Sequence, residues 1–386
     1  MSWERIRLGD CCEITSSKRI FYSEYTDYGI PFYRSKEIIE FSQGQSISEP
    51  LYIANQRYHE IKNRFGVPVA GDMLLTSVGT IGIPYIVKET DEFYFKDGNL
   101  TWFRNFTSKL CARYLYYWVI SKEGNGVLNN TTIGSSQKAL TISALKNVEI
   151  TVPSIGKQRR IADILSAYDD LIENNRKQIK LLKEAAQRLY KEWFVDLRFP
   201  GHEHTKIVDG VPEGWDRMPV GSLIGKIDRT KQIPTSEYLP NGKIPVIDQS
   251  REFIAGYTND VQAIVKSKVP IIVFGDHTRI LKLIQFPFAK GADGTQLIIS
   301  AYERMPQRLL YCSLMNIDLS NYHYARHFKY LKSEIILLPS KGIADDFEKI
   351  TDPIFKKIQS CRDQCCWGQE ARDRLLPKLM SGEVEV

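Results

Sequence analysis

The sequence predicts a mixed α/β (α+β) protein in which two similar domains are separated by two long helices that pair as an antiparallel coiled coil. Three observations carry that prediction. Residues 160–194, RIADILSAYDDLIENNRKQIKLLKEAAQRLYKEWF, contain no Pro and no Gly, and Leu165, Tyr168, Ile172, Asn175, Ile179, Leu182, Ala186, Leu189 and Trp193 recur at alternating spacings of three and four. That is the a/d seam of a coiled coil, narrower than the stripe of a core-facing helix. The segments on either side of this stretch echo each other. A strand, a Pro-Ser pair and a helix also follow one another twice, in LKNVEITVPSIGKQRRIADIL from Leu145 and LKSEIILLPSKGIADDFEKI from Leu331.

Taken in order, the echo covers every element. SWERIRLGDCCEI at the start returns as VPEGWDRMPVGSLIGKI from Val211. GIPFYRSKEI from Gly29 returns as KIPVIDQSREF from Lys243, each a short extended run entered through Ile-Pro. Residues 72–100 (DMLLTSVGTIGIPYIV, then FKDGNL) correspond to 270–299 (PIIVFGDHTRILKLIQ, then AKGADGTQLI). In both, two strands rich in β-branched and aromatic residues flank a Gly-containing turn, and an Asp-Gly turn follows. ARYLYYWVI from Ala112 and QRLLYCSLM from Gln307 are matching short helices.

The first long helix spans roughly 50 Å at 1.5 Å per residue, and Pro200-Gly201 is expected to close it. A second is expected over residues 343–379, with Phe347, Ile350, Ile354, Ile358, Cys361, Cys365, Leu375 and Leu379 on its seam. Pro353 and Gly368 interrupt that pattern, so a kink or a helix start is expected near Pro353. Two seams in one chain can hide against each other, which predicts domains at opposite ends of an intramolecular pair. The mixed charges of both helices read as solvated flanks. The resulting division is 1–155 and 201–340 for the two α/β domains, and 156–200 and 341–386 for the helices.

Composition excludes several classes. The chain has 386 residues, 43% hydrophobic and 25% charged, which suits two or three globular domains. No run approaches 18 apolar residues and MSWERIRLGD lacks an apolar core, so no membrane partner is expected and a cytoplasmic protein is predicted. Seven cysteines without paired C-x-x-C spacing point to reduced thiols, with neither a disulfide framework nor a zinc ribbon. The net charge of +6 permits an acidic partner such as DNA. There is no G-x-x-x-x-G-K-[ST], no G-x-G-x-x-G, no H-E-x-x-H, no G-x-S-x-G and no Asn-Pro-Pro-aromatic run. ATP hydrolysis and methyl transfer by this chain are therefore not expected, nor is any cofactor. Glu60-Ile61-Lys62 lacks an upstream Pro-Asp and reads as surface charge, not a nuclease site.

Candidate contact residues come from loops at matching places in the repeat. Arg34, Ser35 and Lys36 correspond to Gln249, Ser250 and Arg251, while Thr76, Ser77 and Thr80 correspond to Asp276, His277, Thr278 and Arg279. Ser135, Ser136, Gln137 and Lys138 in TTIGSSQKALT match the stretch NYHYARHFKYLK, where Asn321, His323, Arg326, His327 and Lys329 interleave with Tyr322, Tyr324 and Phe328. Arg and Lys neutralise phosphates, while Asn and Arg can contact base edges through two hydrogen bonds. His323 and His327 have metal-ligand spacing if helical, but no Cys or carboxylate set accompanies them, so no metal site is expected. Equivalent scaffold positions with different polar side chains suit two readers of different sequences.

RIADILSAYDDLIENN, AQRLYKEWF, VPEGW, GDHTR followed by GADG, and above all the terminal LLPKLMSGE closely resemble the specificity subunit of type I restriction-modification systems. The resemblance covers essentially the whole chain. It implies two target-recognition domains, each reading half of a split double-stranded DNA site, and central helices that recruit methyltransferase subunits. Through these it implies ATP-dependent restriction subunits, and it implies no catalytic residue in the chain itself. The competing expectation is a two-domain protein-interaction scaffold with a helical dimerisation rod and no DNA role.

Overall fold

The computed structural model describes residues 3–44, 47–132, 138–268, 270–322 and 326–386. The chain packs as two compact units, Met1–Arg176 with Gln364–Val386, and Lys177–Asp363. Among the described residues no helix is long and apolar enough to cross a membrane.

In the first unit, strands Glu13–Thr15, Leu100–Arg104, Met73–Thr76 and Pro84–Ile86 lie in that order in an antiparallel sheet. A second sheet runs Tyr25–Thr26, Tyr52–Ile53, Ile30–Tyr33, Tyr94–Phe95, and its last pair is parallel, with Phe32 opposite Tyr94. A separate ladder pairs Glu4–Arg7 with Glu149–Val152. The other unit repeats this wiring. Ile271–Gly275 lies between Leu281–Ile284 and Thr295–Ile298, and Ile244–Ile247 lies between antiparallel Gly256–Thr258 and parallel Ala289–Lys290. Asp216–Pro219 with Ile335–Leu338 is its separate ladder. The predicted short helices are Ala112–Ile120 and Gln307–Met315, nine residues each.

The correspondence extends to single atoms. In the four-residue helices Leu8–Cys11 and Val220–Leu223, the amides of Leu8 and Val220 donate to the carbonyls of Val148 and Glu334, both at 2.9 Å. A Cβ on Gly9 would lie 2.9 Å from the Lys146 carbonyl oxygen, and one on Gly221 would lie 3.1 Å from that of Lys332. Only glycine permits the backbones to approach so closely.

Each ladder strand passes through Pro-Ser into a long helix. The first runs Ile155–Tyr190 and begins before residue 160, with the Gln158 amide bonded to the Ser154 carbonyl. It does not continue to Pro200-Gly201. A π-turn over Lys191–Val195 ends it, and Leu197 then takes a left-handed φ of 58°. The wider turn lets consecutive Trp193 and Phe194 both face inward, onto Phe347.

The second helix, Lys341–Ser381, is 41 residues long and passes through both Pro353 and Gly368, so the helix start considered near Pro353 is not found. Pro353 is exposed, and so is Lys349, whose carbonyl loses its helical donor and can meet water. Gly368 is buried and its Cβ would stand 3.4 Å from Ile172 Cγ1, so it is a seam position rather than an interruption. Ile350 is exposed instead of lying on the seam. Thr351 is buried there, its hydroxyl donating to the Phe347 carbonyl at 2.8 Å.

Within each unit the helices pair and join the domain core. Leu165, Leu376 and Leu379 pack with Tyr114, Leu115 and Trp118 in one. Ala186, Tyr190, Phe347 and Ile358 pack with Leu309 and Leu310 in the other. Each buried Leu, Ile or Phe among them contributes about 1.5–3 kcal/mol by burial. Several helix charges expected to be solvated flanks are clamps. Tyr117 donates to Asp169 at 2.6 Å, as does Arg372 at 2.6 Å, and Arg308 bonds Glu348 and lies 2.6 Å from Asp352. Asn175, also buried in the seam, has no partner for Nδ2 among the described residues. A buried amide of this kind disfavours shifted registers at some expense of stability.

The contact at Gly368 separates two substitutions. Gly368→Ala adds a methyl at ordinary contact distance and removes glycine's helix penalty, so thermal melts should show equal or greater stability, by up to about 1 kcal/mol. Gly368→Leu should lower the melting temperature because Ile172 cannot withdraw far enough.

Candidate nucleic-acid interface

The loops selected from sequence converge within each unit. In the first, the Ser35 hydroxyl and the Ser77 amide both donate to the Asn99 carbonyl, at 3.2 and 2.8 Å, and the Leu140 amide donates to the Ser77 carbonyl at 2.9 Å. Segments around residues 34–36, 76–80, 96–99 and 138–140 therefore form one surface. In the second, the Gln249 side chain accepts from the His277 amide at 3.0 Å and donates to the Asp293 carbonyl at 2.8 Å. Thr278 Oγ1 donates to the Gln249 carbonyl at 2.7 Å, and Arg279 Nη1 to that of Leu319 at 2.9 Å.

Many of the predicted contact residues hold this surface together. Thr76 is buried and accepts from the Ile83 amide at 2.9 Å, and buried Ser77 shares a hydrogen bond with Thr101 at 2.7 Å. Buried Asp276 accepts from the Phe328 amide at 2.7 Å and, through its carbonyl, from that of His327 at 2.8 Å, capping the helix His327–Ser333. His327 is buried and starts that helix, and burial lowers its pKa, with Arg279 adding to the effect. Tyr322 stacks on Tyr330 with ring centres 4.1 Å apart. The Arg34 guanidinium grips Glu37, with Nη2 2.6 Å from Oε1, and that carboxylate raises its pKa; Lys36 lies 2.8 Å from Glu49. The Ser250 amide donates to Asp248 at 2.9 Å.

Thr80, Lys138, Arg251, His277, Arg279, Arg326 and Lys329 are exposed. Of the cations, Lys138, Arg251, Arg326 and Lys329 have no carboxylate partner among the described residues, and these can meet phosphates. Ser135, Ser136, Gln137, His323 and Tyr324 lie outside the described residues. Among the described residues no cluster of three or more His, Cys, Asp or Glu could hold a metal.

Sequence reasoning missed Lys282. Its Nζ donates to the Asp248 carbonyl at 2.9 Å and to that of Glu252, and it lies 4.0 Å from the Asp248 carboxylate, so it holds both ends of the loop carrying Gln249, Ser250 and Arg251. The signal was present as a single Lys inside the apolar run ILKLI. Burial lowers its pKa to about 8, against partial compensation by Asp248 and Glu252.

The two units are variants of one α/β fold, and each offers a loop surface with cations that have no carboxylate partner among the described residues. Known proteins are similar to this chain in both sequence and fold. Residues 1–184 match the family described as Type I restriction modification DNA specificity domain. The chain is 28% identical to the type I restriction enzyme MjaIX specificity subunit of Methanocaldococcus jannaschii, over 100% of this chain and 94% of that one. It is 25% identical to the MjaVIII specificity subunit of the same organism, over 62% and 53%. The crystal structure of a type I restriction-modification S subunit from M. genitalium superposes with a TM-score of 0.63 at 15% identity, covering 98% of this chain and 96% of that one, so the fold is shared. Along its whole length this chain is similar to specificity subunits of type I restriction-modification systems.

Lys282 makes stability depend on pH. In the native state it releases its proton near pH 8, whereas in the unfolded chain it holds it to about 10.4. Between those values the unfolded state binds more protons, so stability rises with pH. Denaturant titrations should show the parent gaining stability relative to Lys282→Met from pH 8 upward, and a constant difference would contradict this account.

Proposed function

We propose that this chain reads a split double-stranded DNA site, one half through residues 1–155 and the other through residues 201–340. The helical segments 156–200 and 341–386 space the readers and dock methyltransferase subunits, two per chain. Restriction subunits that use ATP join through the methyltransferases. The observation that carries this reading is the duplication itself, in which strand order, ladder and helix junction recur while the exposed loop side chains differ. A duplicated scaffold with unlike loops suits a ligand with two unlike halves.

Exchanging residues 1–155 for those of another family member is expected to change one half of the recognised sequence and leave the other intact. Mismatches at separated positions cost about 1–3 kcal/mol each and add roughly independently. Sequencing of methylated sites selected from random duplexes by the assembled complex reads this directly. A swap that altered both halves would refute independent reading.

Docking has a candidate anchor. Trp367 on the second helix is 66% exposed, with Leu171 also exposed on the first. Large exposed aromatics on otherwise charged helices are typical energetic centres of interfaces. Trp367→Ala should weaken assembly with the methyltransferase at least about tenfold, a loss of ~1.4 kcal/mol. Analytical ultracentrifugation would measure it, and unchanged affinity would remove Trp367 from the interface.

A further inference from the structure

The two halves share a contact that the loops above do not include, and its chemistry differs between them. Lys18-Arg19-Ile20 followed by Ser23-Glu24-Tyr25 corresponds to Lys231-Gln232-Ile233 followed by Ser236-Glu237-Tyr238. Ile20 and Ile233 are both buried, and turns of 3-10 helix follow at Tyr22–Glu24 and Thr235–Glu237. Each segment faces the Asp-Gly turn of its own half, between Tyr94–Phe95 and Leu100–Arg104 in one and between Ala289–Lys290 and Thr295–Ile298 in the other. Across the gap, Arg19 Nε donates to Asp97 Oδ2 at 2.9 Å. At the matching place, Gln232 Nε2 donates to Asp293 Oδ1 at 3.0 Å.

We propose that Arg19 and Gln232 are the equivalent base-reading side chains of the two domains, Arg19 selecting guanine in one half-site and Gln232 adenine in the other. The inference rests on the DNA-reading function proposed above. Asp97 engages Arg19 through Nε, and neither Nη group has a hydrogen-bond partner among the described residues. Guanine offers O6 and N7 as paired acceptors in the major groove, which that free edge matches. Asp293 takes one N–H of the Gln232 amide. The other N–H and Oε1 remain, and these are the donor and acceptor that pair with adenine N7 and the N6 amino group. Each aspartate thus holds the plane of its partner and reduces the rotamer freedom lost on binding.

The surroundings suit this role. The Arg19 side chain is 68% exposed. It borders an open cavity of about 630 Å³ shared with Phe21, Tyr22, Arg34 and Lys96. Phe21 and Tyr22 are 61% and 89% exposed, and Lys96 has no carboxylate partner among the described residues. A free ammonium beside a base-reading group can fix the neighbouring phosphate.

A purely structural tie is distinguishable from a reader because Gln makes the same bond to Asp that Arg does. Arg19→Gln therefore preserves the tie to Asp97 while exchanging the free edge. The test selects methylated sites from a random duplex library with the full chain assembled with its methyltransferase subunits. In Arg19→Gln, one guanine of one half-site is expected to become adenine, with a preference of about tenfold or more, and all other positions are expected to stay. Gln232→Arg should convert one adenine of the other half-site to guanine. Asp97→Asn should weaken the guanine preference without replacing it. Selection unchanged in both exchange variants, or relaxed equally at every position, would overturn the assignment while leaving the proposed function intact. A parent complex that selects no sequence would overturn both.

Discussion

A helix of 36 residues with a single apolar stripe has no stable position except alongside another helix, and this requirement governs the rest of the chain. Its partner is the chain's own C-terminal helix, which runs antiparallel to it, with Gly368 beside Ile172 and Phe347 against Trp193. Where the pair meets a globular domain, the seam widens. Leu165 and Leu379 reach the aromatic core around Trp118, and Tyr190 and Phe347 reach the core around Leu310. The Tyr117–Asp169–Arg372 and Arg308–Glu348 clamps then orient each domain on its own stretch of helices. Such clamps add direction to burial, which by itself is non-directional.

The duplicated domains divide their residues between scaffold and surface. What recurs is what the backbone requires, namely the ladder, the glycines at 9 and 221 and the Pro-Ser entry to each long helix. What differs lies on the loops. The division is not a simple one between core and loop, because Thr76, Ser77, Gln249 and Asp276 are loop-associated polar groups whose hydrogen bonds hold neighbouring segments. Lys282 does the same from inside a strand. Loops braced in this way present their remaining side chains with little ordering left to occur on binding.

The duplicated fold and the similarity to specificity subunits along the whole chain agree with one another. In the proposed function, discrimination depends on a few exposed groups whose free edges are oriented by partners behind them. In the same proposed function the phosphate contacts fall to cations such as Arg251, Arg326 and Lys329, which have no carboxylate partner among the described residues. Specificity can then change by substitution of surface side chains without disturbing the sheets that carry them.

The sequence by itself determined the internal repeat, the mixed α/β class and the two long helices, because these follow from local periodicity and from strings such as VPSIG and LPSKG that recur wherever the same junction forms. It also showed where the polar loops lie. Only the tertiary structure decided what those loops do, since a side chain's role depends on atoms distant along the chain. Thr76 and Gln249 read as contact residues in the sequence, and the structure adds that they hold neighbouring segments, whereas Arg19 and Gln232 became notable only once Asp97 and Asp293 stood opposite them. The same holds for the second helix. Pro353 and Gly368 are helix breakers by local propensity, yet one faces solvent and the other packs beside Ile172 of the partner helix, so packing along a partner overrode the preference.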